Sequence, residues 1–374
     1  MEKTAKKARS VKPPGPFLRV VFALAMWIAI FWRKARLPWK WLPKGSKQRS
    51  IHEFWTTEMM VNYAKSWGTK LATDQICPPI QVDNYEPLAE VDPEYRLSPE
   101  EIEEFYQNGF LTPFTVVPPE EMEAFGDRLL AEREKVNETY GFVCDRDRHF
   151  NMPEMMRIMA DPAITERLAQ LLGPDIVAWR SQIFHKPPGN NPVGWHQATT
   201  FMFEEGFMEP LIFPPDKSKL FQLTVWIPAD PATLESGCLK FETGSQFEGT
   251  RWMRLGGKVG FHAVNYYPDY EVDELKVKRV EMQPGQALIF SERTIHGSDA
   301  NKSGRNRLAF NFRVVPENVR AYPPGKRFHN AAQMDEVYDL KDYHPIQLRG
   351  ENKSGVNDTV PWKQYAGEET AAKA

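Results

Sequence analysis

His196, in "GWHQATTF" at 194–201, and His296, in "TIHGS", are the residues whose types most directly suggest chemistry. A His, a carboxylate two residues later and a distant second His make the facial donor set of a non-haem Fe(II) site, with positions left open for oxygen chemistry. Position 198, where the carboxylate would stand, is Ala198. Three readings are open: no metal site, a site that has lost a ligand, or a site whose gap holds something else. Glu292 is a candidate to supply a carboxylate from elsewhere in the chain.

Strand periodicity sorts the polar residues around this pair. Along 307–315, Arg307, Asn311 and Arg313 share one face, and Leu308, Phe310, Phe312 and Val314 the other. Two arginines on one face of a core strand call for anionic partners, because an unpaired buried charge is costly. An anion is therefore expected inside the fold. Thr224 and Trp226 share a face of 221–227, as do His296 and Ser298, and the same period places His196 and Ala198 together.

The elements that would position these residues carry their own punctuation. In "SPEEIEEFYQNG" at 98–109, Ser98 caps, Pro99 takes the first helical position, Glu101 closes a capping box and Gly109 ends the helix. Further helices are predicted over 119–136 and 163–172. Strands follow at 176–185, 221–227, 238–242, 286–291 and 307–315, separated by "PPGNNP", "ESG", "QPG" and "KSGRN". Helices first and then irregularly spaced strands predict a mainly β protein with flanking helices, a cupin-like jelly roll or double-stranded β-helix.

Charge divides the chain. Residues 1–50 carry thirteen Lys/Arg and one acid, Glu2, leaving 34 basic against 49 acidic side chains for the remainder. An acidic body excludes nucleic acid as a partner on charge grounds. The basic head holds an uncharged apolar run, 20–32, followed by Arg33, Lys34 and Arg36. The run is short for a bilayer span but suits a membrane anchor, either extended by snorkelling Arg and by Trp27, Trp32, Trp39 and Trp41 or lying at the interface. An acid-poor organelle transit peptide and a helix packed on the body are the other readings. The expected organisation is a basic segment 1–50, a linker or wrap 51–96, a catalytic domain 97–345 and a C-terminal extension 346–374. Cys77, Cys144 and Cys238 are widely spaced and include no CxxC, which suits a reducing compartment and no structural zinc. Membrane association with the catalytic domain on the cytoplasmic face is the expected placement.

The segments "SQIFHKPPGNNPVGWHQ", "TVWIPAD", "ESGCLKFETGSQ" and "MQPGQALIFSERTIHGSDANKSGRNRLAFNFRVVP" together resemble the phytanoyl-CoA dioxygenase superfamily over about 97–345. Within it, "HQA" resembles the chlorinating branch. The resemblance implies a double-stranded β-helix enzyme using Fe(II), 2-oxoglutarate and O2. It implies His196 and His296 as iron ligands and Arg307 as the partner of the distal carboxylate of 2-oxoglutarate, whose geometry a guanidinium fork matches. Ser298, Trp226 and Gln182 match positions lining that co-substrate. Ala198, Phe201, Thr224 and Arg313 match the surroundings of a chloride that replaces the missing carboxylate. Thr199, Phe203 and Glu292 depart from the branch's pattern, and an acid beside a chloride is unfavourable. The implied activity is chlorination of an unactivated aliphatic carbon. The alternatives are a hydroxylase whose carboxylate ligand became alanine, and an inactive membrane-tethered binding module. The expected substrate is a small or lipid-like molecule, or an acyl group on a carrier protein. His185 reads as structural, and His149, His262, His329 and His344 as surface or packing residues.

Overall fold

The computed structural model describes residues 16–38, 40, 52, 57–65, 67, 72–198, 200–202, 210–254, 266–268, 271–331 and 336–367. Two facing sheets are built from β1 (Phe114–Thr115), β2 (Ile176–Lys186), β3 (Val193–His196), β4 (Leu223–Pro228), β5 (Leu239–Glu242), β6 (Val277–Val280), β7 (Gln286–Ser291), β8 (His296–Ser298), β9 (Arg307–Pro316), β10 (Ile346–Arg349) and β11 (Val360–Pro361). The seven-stranded sheet runs β1-β7-β4-β9-β2-β10-β11 and the four-stranded sheet β6-β5-β8-β3. Pairing is antiparallel except between β10 and β11.

The alternation in β9 explains the layering. Its odd–even pattern sends Leu308, Phe310, Phe312 and Val314 to the outer face, where they join Val225, Ile227 and Ile289 in the principal core. That core is closed by α3 (Pro99–Asn108), α4 (Pro119–Glu132), α5 (Pro153–Met159) and α6 (Pro162–Leu172), through Phe105, Met122, Phe125, Leu129, Met156 and Leu168. The rings of Phe125 and Phe310 meet edge to face, with centroids 5.9 Å apart. On the other side, Trp226, Leu288, Phe290 and Ala309 pack toward Cys238, Leu239 and Phe241 of the smaller sheet. The expected jelly roll with flanking helices is the architecture observed.

The capping box of α3 forms as its sequence dictates: Ser98 Oγ accepts from Glu101 N, Glu101 accepts from Ser98 N, and Gly109 closes the helix at φ 80°. The second predicted helix ends at Glu132 rather than Val136, because Val136–Asn137 pairs with Phe142–Val143 in a short hairpin. Helix α5 was not expected; its methionines Met155, Met156 and Met159 are buried. The sheet also continues past 345. β10 pairs with β2, so the C-terminal segment is partly built into the larger sheet.

At the other end, α1 (Pro16–Lys34) holds the apolar run and packs through Met26 and Ile30 on Met60, Tyr63 and Ala64 of α2 (Thr57–Lys65). No helix among the described residues is long and apolar enough to cross a membrane. The stretch read as a linker or wrap holds α2 and a strand, Ala72–Cys77. It then follows the body, with Ile80 N donating to Gln246 O, Gln81 N to Ser218 O and Leu88 N to Gln170 O. All three cysteines are buried free thiols.

Phe310 is fully buried where the larger sheet meets α4. Replacing Phe310 by Ala should cost about 3–5 kcal/mol, read as a lowered urea midpoint with an unchanged slope. A midpoint equal to the wild type would contradict this account of the core.

Candidate functional site

His196 and His296 sit directly opposite each other on β3 and β8. Their ring centroids lie 4.1 Å apart with the planes at 50°. Each Nδ1 is 2.8 Å from a backbone carbonyl, Gly194 O for His196 and Thr294 O for His296. A carbonyl only accepts, so in the neutral ring the proton resides on Nδ1 and Nε2 carries the lone pair. Burial pushes both imidazoles below the ordinary histidine range, and the charge of Arg313 lowers them further. Two neutral imidazoles with fixed tautomers are suited to ligate a metal.

Ala198 lies just past the end of β3 and is nearly buried. Its N–H donates to Glu292 O at 2.9 Å, which ties this turn to the connection between β7 and β8. The Glu292 side chain contacts its sequence neighbours. It is fully buried, its Oε1 lies 3.2 Å from Arg293 Nε, and Ser291 Oγ donates to its Oε2 at 3.3 Å. Burial raises its carboxyl to about 7. Among the described residues no group of three His, Cys, Asp or Glu side chains could hold a metal ion. Glu292 is thus engaged with Arg293 and Ser291 rather than grouped with the two histidines. Thr199 and Phe203, the other departures noted in the sequence, lie outside the described residues.

The inner face of the larger sheet is cationic. Register places Arg307 opposite Lys186 and Arg313 opposite Arg180, with Gln182 opposite Asn311 between them and nearer the second pair. Arg307 is buried; its Nη1 donates to Gly237 O at 3.0 Å, and its guanidinium lies 5.4 Å from the Trp226 ring centroid. Its Nε is buried with no hydrogen-bond partner, and burial lowers its pKa to about 10. Lys186 Nζ donates to Ser298 Oγ at 2.8 Å and also to Asp299 O. Burial, with the Arg307 charge added, brings this lysine down to about 7. Arg307, Lys186, Ser298 and Trp226 thus form one cluster.

Thr224 lies between Arg313 and Phe290 across the sheet, and its Oγ1 is buried without a partner. Phe201 packs on Phe221, with centroids 4.9 Å apart, in an apolar cluster that includes Trp179 and Tyr322. The guanidinium of Arg293 lies 5.2 Å from its ring. His185 has Arg133 Nη1 3.3 Å from its Nδ1. His149 is buried, with Nδ1 2.7 Å from Ser181 Oγ and its pKa lowered to about 4 by burial. His344 lies 3.6 Å from Asp358, an exposed ion-pair geometry. His262 lies outside the described residues, and of His329 only the backbone is described.

Sequence reasoning missed Lys186, which "KPPG" disguised as part of a turn. The available signal was parity: it continues the alternation of Gln182 and falls opposite Arg307. It also missed Arg293, whose guanidinium donates to the carbonyls of Pro78, Pro79, Lys217 and Lys219 and ties these segments to the β7–β8 connection.

A family model described as Phytanoyl-CoA dioxygenase matches residues 105–309, more than half of the chain. The chain belongs to the phytanoyl-CoA dioxygenase family. Family relatives include phytanoyl-CoA dioxygenase domain-containing protein 1 of Danio rerio, 26% identical over 182 residues, covering 47% of this chain and 57% of that protein. The Rattus norvegicus counterpart is 27% identical over 183 residues, covering 47% and 58%. The chain therefore spans little more than half the length of these relatives. Among solved structures, "CytC3 with Fe(II) and alpha-ketoglutarate" superposes with a TM-score of 0.57 at 23% identity, covering 71% of this chain and 94% of that one. EctD from S. alaskensis with bound Fe gives 0.51 at 17% identity, covering 77% and 95%. These likenesses establish the shared fold, and the family is one of Fe(II)/2-oxoglutarate oxygenase-type oxidoreductases.

The Lys186–Arg307 pair carries a pH prediction. Below about pH 7 both members are charged, and above it Lys186 loses its proton unless an anion holds it on. The affinity for 2-oxoglutarate, measured by anaerobic calorimetry, should fall as pH rises from about 6 to 8. Lys186→Met should weaken binding roughly 10- to 100-fold at the lower pH, the worth of a charge-assisted hydrogen bond, and flatten the profile. An unchanged affinity and profile in the variant would remove Lys186 from the anion site.

Proposed function

We propose that this chain is an Fe(II)/2-oxoglutarate-dependent halogenase that chlorinates an unactivated aliphatic carbon. The observation that carries the reading is position 198. A methyl group stands where the third protein donor belongs, no described carboxylate takes over the role, and nearby charge is cationic. His196 and His296 would supply two neutral donors to the metal, so a chloride would supply the negative charge that the missing carboxylate does not.

The residues present fit the groups they would hold. His196 and His296 would bind the metal through Nε2, held in orientation by the Gly194 and Thr294 carbonyls. The unpartnered Nε of Arg307 supplies a buried donor for the distal carboxylate of 2-oxoglutarate. Lys186 and Ser298 flank that position, the Trp226 face walls it, and Gln182 stands farther along the same sheet face. Thr224 offers an unpartnered hydroxyl and Arg313 a positive field on the halide side. When bound, the metal, the keto-acid and O2 supply the oxidising power that removes a hydrogen atom from a substrate carbon. The chain's part is to exclude water and to hold that carbon closer to the halide than to the oxygen donor. The substrate class consistent with this site is a small aliphatic or lipid-like molecule, free or carried on a protein.

Ala198→Asp tests the reading. The new carboxylate would occupy the halide's coordination position and repel the anion, so chlorinated product should disappear in mass spectra of the reaction. Hydroxylation need not replace it, because the substrate is placed for halogen transfer. The hydroxylase alternative makes the opposite forecast. Vigorous, tightly coupled hydroxylation by the variant, with no halogenated product from the Ala198 protein, would overturn the proposal.

A further inference from the structure

Helix α1 is apolar on two opposite faces. At 100° per residue, Ala23, Met26, Ala29 and Ile30 project to one side, where Met26 and Ile30 pack on α2. Phe17, Val20, Val21, Leu24, Trp27, Ile28 and Phe31 fall within a stripe about 120° wide on the other side, and every one of them is exposed. Phe17, Ile28 and Phe31 are the most open, at 80%, 63% and 69%. An ordinary surface helix turns polar residues outward. This one presents about 21 Å of continuous hydrocarbon, far more than scattered surface apolar residues produce.

We propose that this face of α1 docks in the plane of an anionic lipid bilayer, leaving the catalytic body at the membrane surface. Charge selects this occupant. The stripe ends in a collar of exposed Lys34, Arg36 and Lys40, within a segment of thirteen basic residues and one acid. The rest of the chain is acidic, so an anionic headgroup layer attracts this end and repels the other. A second copy would have to bring its own like-charged collar alongside. No helix among the described residues is long and apolar enough to cross a membrane, and an apolar stripe along one side of α1 with a basic collar suits a helix lying in the interface. The docked end is also structurally continuous with the site. α2 abuts strand Ala72–Cys77, which pairs with Thr250–Arg254 and through it with Tyr266–Pro268, and the last of these lies against β3, the strand of His196. A membrane-partitioned substrate would meet this side of the molecule first.

The experiment uses the full chain, sedimented with vesicles of phosphatidylcholine alone or mixed with phosphatidylserine. The protein should partition onto the phosphatidylserine vesicles and be partly released by salt. Ile28→Glu combined with Phe31→Glu should weaken partition at least ~100-fold, since burying each apolar side chain is worth a factor of ten or more. Both side chains are exposed, so the urea midpoint should not move. Lys34→Glu with Arg36→Glu should reduce binding to the anionic vesicles and leave the weaker binding to phosphatidylcholine unchanged. Wild-type protein that stays in the supernatant, or a glutamate variant that binds equally well, would overturn the proposal. So would a wild-type dimer that the glutamate pair converts to monomer without any vesicle partition, since the face would then belong to a second copy. None of these readouts depends on halogenation.

Discussion

Two pairs of cations face each other across adjacent strands, Arg307 beside Lys186 and Arg313 beside Arg180. Like charges directly opposite in a sheet repel, and burial strengthens the repulsion by removing water. Burial, with the Arg307 charge added, brings Lys186 down to about 7, and burial alone lowers Arg307 to about 10. Backbone carbonyls such as Gly237 O, which accepts from Arg307, compensate part of this charge. The facing sheet contributes two neutral histidines and no described carboxylate beside them. On the reading proposed above, a keto-acid dianion would compensate the Arg307–Lys186 end, and Ala198 would leave a place for a small second anion beside the histidine pair.

The scaffold makes this geometry by close approach of backbones. A side chain at Gly297 would put its Cβ 2.8 Å from Val193 O, so only glycine lets β3 and β8 come together in the register that sets His196 against His296. Gly237 has φ 80°, and a Cβ there would meet Asp299 O at 2.3 Å; its own carbonyl accepts from Arg307. Arg293, buried and tied to four backbone carbonyls, fixes the β7–β8 connection whose Glu292 carbonyl holds Ala198. Glu292 and Arg293 are buried as a pair. Leaving either one alone would strand a buried charge.

Much of this was legible in the sequence where a local pattern and its tertiary use coincide. The Ser98–Glu101 box and Gly109 define α3 without help from the rest of the chain. The ten-residue alternation of β9 separates core from site because both faces are buried against different partners. The histidine pair and Arg307 stood out by type and order. What escaped was set by partners distant in sequence. β3 and β6 have only four residues each and owe their strand character to β8 and β5. Val136–Asn137 reads as the end of a helix until Phe142–Val143 pairs with it. Lys186 looks like a turn residue until Arg307 and Ser298 are placed beside it. The contact of Glu292 with Arg293 was likewise invisible until the fold placed both in the interior.

The central claim is that the gap at Ala198 admits a halide to the metal. Anaerobic reconstitution of the full chain with Fe(II) and 2-oxoglutarate, followed by chloride titration, tests this most directly through the metal-to-ligand charge-transfer absorption. The account predicts a saturable, chloride-dependent shift of that band in the wild-type protein and none in Ala198→Asp. A band that forms fully without chloride and does not respond to it would contradict the claim.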